Sequence, residues 1–193
     1  MRETAFLRRT NETAIEIDMN LDGNGESEID TGIGFFNHML TLFAKHSSTS
    51  LTMNVKGDLD VDAHHTIEDT GIALGKCIKE ALGDKAGLKR YGSALIPMDE
   101  TLAEVALDLS GRGYLVFNAN FTAEKAGEFP LEMVEEFFRA VAFNGEFNLH
   151  INLRYGENNH HMAEGIFKAF AHAFKEAKVV EGIDVLSTKG VLI

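Results

Sequence analysis

The chain has one cysteine, two prolines and no tryptophan among 193 residues, and it is short of positive charge. A lone Cys77 excludes a disulfide framework; set in an apolar helical stretch, it reads as a small buried thiol of a reducing compartment. Lys and Arg number 18 against 30 Asp and Glu, a net charge of −12. That balance excludes nucleic acid and anionic membrane as partners, since both demand a basic surface. No apolar run nears the length of a membrane span. The opening MRETAFLRRTNETAIEID lacks the apolar core of a signal peptide, so the expected location is cytoplasmic. Linker-like and low-complexity stretches are missing too. What remains, 45% hydrophobic and 25% charged, is ordinary globular composition, long enough for one domain or two fused halves.

Against that background one motif occurs twice. His64-His65-Thr66-Ile67-Glu68 and His160-His161-Met162-Ala163-Glu164 both read His-His-x-x-Glu, and each opens a segment of helical periodicity. Residues four apart share a helix face, so each Glu projects beside the first His, while the second His is turned about 100° away. Four imidazoles and two carboxylates in matched sets point to metal, and their number to two ions. Adjacent histidines that diverge cannot easily serve one ion. Each motif is therefore expected to serve two, across a subunit interface of a metal-dependent homo-oligomer.

The motifs belong to a larger repeat. NETAIEIDMNLDG (11–23) aligns without gaps with DETLAEVALDLSG (99–111), Glu12 falling on Glu100 and Thr13 on Thr101; SLTMNV (50–55) matches NLHINL (148–153). Two repeats, about 1–90 and 91–193, are expected to pack as a single domain. In each, alternating runs (TAFLRRT, AIEIDMN, LAEVALDLS, YLVFNANF) read as strands of a meander, with Asp22-Gly23-Asn24-Gly25 as a turn. Helical stretches follow: GFFNHMLTLFAKH in the first half and PLEMVEEFFRAVAF in the second, with Pro130 in the first turn. The motif helices are expected over about Ala63–Leu82 and Asn159–Ala177. Strands followed by helices imply an α+β fold, sheets with one face covered by helices.

Two further histidines can complete the metal sites: His38 in GFFNHML and His150 in NLHINL. His38, His64, His65, Glu68, His150, His160, His161 and Glu164 then divide into two sets of three His and one Glu, with open positions left for substrate. Without thiolate, the ligand types leave Mn, Fe, Co, Ni and Zn open. Arg90, Arg112, Lys168 and Lys189 stand at segment ends, and Gly111 and Gly113 flank Arg112 to admit a close neighbour. The tail VLSTKGVLI reads as an apolar strand-like run beside a turn of Ser187, Thr188 and Lys189. A few placed cations in an acidic chain suit capture of one small anion such as phosphate. Gly32-Ile33-Gly34 reads as a turn before a helix.

Taken together, RRTNETAIEI, TGIGFFNHML, GDLDVDAHHTIEDTGIALG, IPMDETLAEVALDLSGR, RYGENNHHMAEGIFKAF and LSTKGVL closely resemble the imidazoleglycerol-phosphate dehydratase family of histidine biosynthesis. The resemblance covers essentially the whole chain. It implies a duplicated α+β fold, two mostly antiparallel sheets flanking a layer of helices. It also implies two Mn2+ per active site and a 24-subunit cage with sites between subunits. Family ligand positions fall on the same eight residues. Substrate contacts fall on Glu12, the stretch His38 to His46 (with His46 at its end), Arg90, Arg112, the stretch His160 to Lys168, and Ser187, Thr188 and Lys189. His64, His65 and Glu68 are also expected among the substrate contacts. The chain departs from the family's usual pattern at Ala63, at SSTS after His46 and at His172. The implied reaction is dehydration of D-erythro-imidazoleglycerol phosphate to imidazole-acetol phosphate, through a metal-bound imidazolate and a diazafulvene-like intermediate. Glu12 is the candidate base for the carbon-bound proton. A metal-dependent hydrolase or isomerase and a non-enzymatic metal-storage or cage protein are the rival readings.

Overall fold

The structure, a computed structural model, describes residues 2–192. The first half builds β1 (Glu3–Arg9), β2 (Thr13–Asn20), β3 (Ser27–Asp30), α1 (Gly34–Ser47), β4 (Ser50–Gly57) and α2 (His64–Leu82). The second half repeats the order with β5 (Tyr91–Met98), β6 (Thr101–Asp108), β7 (Tyr114–Asn118), α3 (Met133–Gly145), β10 (Asn148–Tyr155) and α4 (Asn159–Ala177). A small hairpin, β8 (Lys125–Ala126) with β9 (Phe129–Pro130), is inserted before α3. The two large sheets have matching strand orders, β1-β2-β4-β3 and β5-β6-β10-β7. The fold is α+β, as the pattern of strands and helices implies.

Neither sheet is a plain meander. β3 lies parallel to β4, and β7 parallel to β10, because α1 and α3 carry the chain back over the sheet before the next strand. The Asp22–Gly25 segment does turn the chain, but it joins β2 to a strand that β2 does not pair with. Pro130 lies in β9 rather than in a first helical turn, and α3 begins at Met133. With no backbone N–H, Pro130 fits the end of a two-residue edge strand equally well.

Burial follows the period of two: Thr13, Ile15, Ile17 and Met19 of β2 turn inward, as do Thr101, Ala103, Val105 and Leu107 of β6. Helices from opposite halves then pair, α1 with α4 and α2 with α3. In α2, a Cβ at Gly71 would lie 2.8 Å from Phe137 O, and one at Gly75 2.6 Å from Val141 O. Only glycine lets these helices approach so closely. In the absence of tryptophan, phenylalanine fills the interior. Phe43 of α1 stacks on Phe170 of α4 with centroids 5.4 Å apart, and Phe137 and Phe138 of α3 meet Phe167 at 5.4 and 4.8 Å. Each fully buried Phe contributes roughly 1.5–3 kcal/mol by leaving water. Cys77 is wholly buried on α2, where loss of solvent pushes its thiol up to about 12. An uncharged, enclosed thiol is a poor nucleophile.

Lys178, just past α4, is nearly buried and ties three segments together. Its ammonium donates to Leu21 O at the end of β2, to Ser48 O (3.3 Å) and to Thr49 Oγ1 (3.1 Å) after α1. Lys178→Ala strands those acceptors, so denaturant melts should show a loss of about 1–3 kcal/mol. Burial lowers the Lys178 pKa from 10.5 to about 8. The charged form therefore costs stability below about 8, and the cost fades as pH rises towards 10.5. Wild type should accordingly gain on Lys178→Met across that window; parallel pH profiles of the two would contradict the assignment.

Candidate active site

Both His-His-x-x-Glu motifs sit on the first turn of their helices. Asn158 caps α4, its side-chain oxygen accepting the N–H groups of His160 (2.9 Å) and His161 (3.3 Å). In α2, where Ala63 holds the cap position, Asp62 takes the His64 N–H at 2.7 Å. These caps satisfy backbone donors that a helix start leaves open, and they hold the imidazoles at the exposed end. The geometry follows the helical repeat. His160 Nε2 is 3.1 Å from Glu164 Oε2 and His64 Nε2 is 3.8 Å from Glu68 Oε2. The planes of the adjacent rings stand 85° apart for His160 and His161, and 77° apart for His64 and His65.

α1 brings His38 to the second motif. Its Nε2 lies 3.4 Å from Glu164 Oε2, and the donor atoms of His38, His160 and Glu164 all fall within 4.8 Å of one another. Imidazole nitrogens and a carboxylate oxygen, converging without thiolate, fit a divalent ion of intermediate softness. Glu164 is buried to 9% side-chain exposure. Burial alone would raise its carboxyl, but the Lys168 ammonium at 2.5 Å, with His38 and His160, holds it below the ordinary range. Lys168 thus stands beside the donor cluster as its counter-charge.

The second histidine of each motif has a different neighbour. His65 Nδ1 lies 3.0 Å from Asp58 Oδ2, and Glu12 Oε1 is 3.8 Å from its Nε2. His161 Nδ1 lies 2.8 Å from Glu100 Oε2. These hydrogen bonds raise both imidazole pKa values. Glu100 is drawn down to about 2, first by the Asn158 N–H and then by His161. Glu12 closes the β1–β2 loop. That hairpin is tied to α2 through Asp69, which accepts from Thr13 Oγ1 at 2.5 Å and pairs with Arg8 at 2.8 Å.

The cations gather elsewhere. Arg90, Arg112, Ser187, Thr188 and Lys189 line one cleft of about 760 Å³. It adjoins the far end of α4, where the Arg90 N–H donates to Ala177 O at 3.0 Å. Arg90 itself is clamped by Asp108 (2.7 and 3.0 Å) and reaches Leu186 O at 2.5 Å, which pins the tail. The tail is a set of turns among the described residues, not a strand, with Gly190 N–H on Ser187 O at 3.0 Å. Gly113 serves packing rather than a ligand, since a Cβ there would lie 2.6 Å from Phe143 Cα.

A family model described as imidazoleglycerol-phosphate dehydratase matches residues 31–174. The chain belongs to this family. An imidazoleglycerol-phosphate dehydratase of Clostridium acetobutylicum is 57% identical over 192 residues, 98% of each chain. That of Listeria monocytogenes is 58% identical over 194 residues, covering 100% of both. Among solved structures, the Staphylococcus aureus imidazoleglycerol-phosphate dehydratase superposes with TM-score 0.83 at 46% identity, over 92% of this chain and 99% of its own. The Pyrococcus furiosus structure, solved in complex with (S)-C348, gives 0.85 at 34% identity, over 97% and 100%.

One expected ligand does not join the others in the protomer. Strand alternation turns Leu149 and Ile151 of β10 inward, so His150 is exposed on the outer face of its sheet, away from the helix-borne donors. Glu136 of α3, a carboxylate not singled out by the residue pattern, lines a cleft of about 770 Å³ with His64. The signal was in the repeat: the register that sets β4 on β10 sets His38 on Glu136. His46 and His172, left unassigned by residue pattern, are neighbours, Nδ1 to Nε2 3.2 Å. Burial and the facing His172 lower the His46 pKa.

Equilibrium Mn2+ binding should sort these residues. His38→Ala and His160→Ala should weaken it by more than the roughly 10–100-fold typical of losing an outer partner. His150→Ala should leave protomer affinity unchanged; a loss equal to that of His160→Ala would return it to the ligand set.

Proposed function

We propose that the protein dehydrates imidazoleglycerol phosphate in histidine biosynthesis, as a manganese-dependent hydro-lyase whose active sites form between subunits. The observation that carries the reading is the convergence of His38, His160 and Glu164 in a chain of this family. His64, Glu68 and Glu136 are read as the matching set of the first half, with His65 and His161 serving ions shared between chains. Each substrate site would take two Mn2+.

The reason for a shared site is distance. α4 spans 19 residues, about 28 Å at 1.5 Å each, with the histidine motif at one end and the cation cleft at the other. A substrate the size of a glycerol phosphate cannot reach both. Arg112 and Lys189 of one subunit would therefore hold the phosphate while another subunit's helix starts hold the imidazole. Diverging ring planes fit the same arrangement, and a closed homo-oligomer such as a 24-subunit cage satisfies it. Among the described residues no helix is long and apolar enough to cross a membrane.

Bound metal would supply a Lewis acid that lets the imidazole ring carry negative charge. Held by His38, His160 and Glu164, it would favour departure of hydroxide from the carbon attached to the ring, by way of a diazafulvene-like species. Glu12 Oε1, half exposed and close to His65, takes the proton from the next carbon. The electron pair restores the aromatic ring and gives an enol, which becomes the ketone of imidazole-acetol phosphate on reprotonation. Hydroxide and the proton together make the lost water. Phosphate held by Arg112 and Lys189 orients the carbon chain for this step.

Metal-free protein reconstituted with Mn2+ should convert imidazoleglycerol phosphate to the ketone product; release of inorganic phosphate instead would favour a hydrolase. Chelation should stop turnover and reduce the assembly by light scattering, and an unchanged large particle in fully metal-free protein would defeat the bridging role.

Glu12→Gln keeps shape but cannot accept the proton, so turnover should fall by about two to four orders of magnitude with little change in affinity. Arg112→Ala and Lys189→Ala should instead weaken substrate binding about ten- to a hundredfold. If Glu12→Gln changes only the Michaelis constant, the base lies elsewhere.

A further inference from the structure

Two carboxylates outside the donor set occupy the same place on two different imidazoles. Glu100 Oε2 meets His161 Nδ1 at 2.8 Å, and Asp58 Oδ2 meets His65 Nδ1 at 3.0 Å. An ionised carboxylate can only accept, so the proton resides on Nδ1 and the Nε2 lone pair is left to point outward. An imidazole held in this way is pre-set to bind a metal through Nε2, and the carboxylate behind it strengthens the ligand.

The two carboxylates arise differently. Glu100 is the repeat partner of Glu12, and each is the last residue of the hairpin loop before its strand, β6 or β2. Glu100 is locked: its Oε1 accepts the N–H groups of Asn158 at 2.8 Å and Glu157 at 3.2 Å. Glu12 has no such lock. In its half Asp58, on the loop after β4, has taken the Nδ1 side, and Glu12 is left 3.8 Å from Nε2, beyond hydrogen-bond range. In the second half the β-bulge before Tyr155 shifts the repeat by one, so that Glu157 stands where Asp58 does; its backbone N–H donates to Glu100 Oε1 at 3.2 Å, and Glu100 keeps the imidazole.

We infer that Glu100 and Asp58 are positioning residues that fix His161 and His65 as Nε2 metal ligands, and that the transfer of this task from Glu12 to Asp58 is what releases Glu12 for proton chemistry. The inference rests on the proposed reading of His65 and His161 as ligands. One duplicated glutamate stayed a clamp; the other became free to act on substrate.

The test is Mn2+ titration of metal-free full-length protein, with the free aquo-ion read by electron paramagnetic resonance. Glu100→Gln and Asp58→Asn replace an obligate acceptor with an amide. The amide NH2 can donate to Nδ1, shifting the ring proton to Nε2, where it blocks the ion. Each substitution should weaken Mn2+ binding about 10–100-fold, while Glu12→Gln leaves it unchanged. Glu100→Gln keeps an oxygen for the Asn158 and Glu157 N–H groups. Should that loop loosen nonetheless, shown by earlier melting without metal, Asp58→Asn decides, since its side chain caps nothing on α4. Wild-type affinity in both amide variants, with affinity lost in His65→Ala and His161→Ala, would overturn the positioning role and spare the ligand reading. Wild-type affinity in His65→Ala and His161→Ala would overturn that reading, and this inference with it.

Discussion

The contact between α1 and α4 makes the donor cluster. His38 belongs to the first half and Glu164 to the second, and they meet only because the helices of the two halves cross-pair. Stacked phenylalanines set that pairing further along the same seam, where Phe43 lies on Phe170. Packing and site are thus one interaction seen at two heights. Two turns beyond His38 on α1, His46 faces His172 of α4, so the seam carries polar chemistry at its rim and aromatic contact beneath. Neither half of the chain contains the cluster by itself.

The second constraint is the length of α4. A helix with its ligand end at one extremity and a cation cleft at the other separates two binding functions by far more than a small substrate spans. On the proposed function, the protomer would carry two complementary half-sites. This also explains an otherwise odd charge distribution: the chain is strongly acidic overall, yet Arg90, Arg112 and Lys189 are concentrated in one cleft. A local positive field within an acidic surface selects a small anion over a polyanion.

Much of this was legible in the chain. The bounds of α4 and β10 follow directly from their periodicity and turn signals, and the paired motifs point to their own geometry because i and i+4 share a helix face. What the pattern did not carry were relations between elements. The parallel strands β3 and β7 were hidden because local alternation is the same in either direction. That His150 stands apart from the cluster in the protomer follows from strand alternation, which sends it outward once Leu149 and Ile151 are core. Glu136 was overlooked because only histidines were sought, although the repeat sets it opposite His38. The Glu100–His161 contact was hidden because the two lie far apart in sequence; they meet where the β5–β6 hairpin folds over the start of α4.

Duplication gave two similar donor sets, but their surroundings differ. Glu164 has 9% side-chain exposure and an ammonium partner in Lys168, whereas Glu68 has 43% exposure. Position 72, where the repeat would place a partner for Glu68 equivalent to Lys168, is Ile72, which cannot supply a charge. A buried carboxylate needs a fixed positive neighbour, or it would take up a proton and lose its value as a ligand. Lys168 meets that need in the second half. In the first half solvent does so, and the motif stays open. The same asymmetry runs through the second-histidine pairs, where Glu100 is locked and Glu12 is loose. The second half is the more preassembled of the two, and the first retains in Glu12 an exposed carboxylate, the one proposed above for proton transfer.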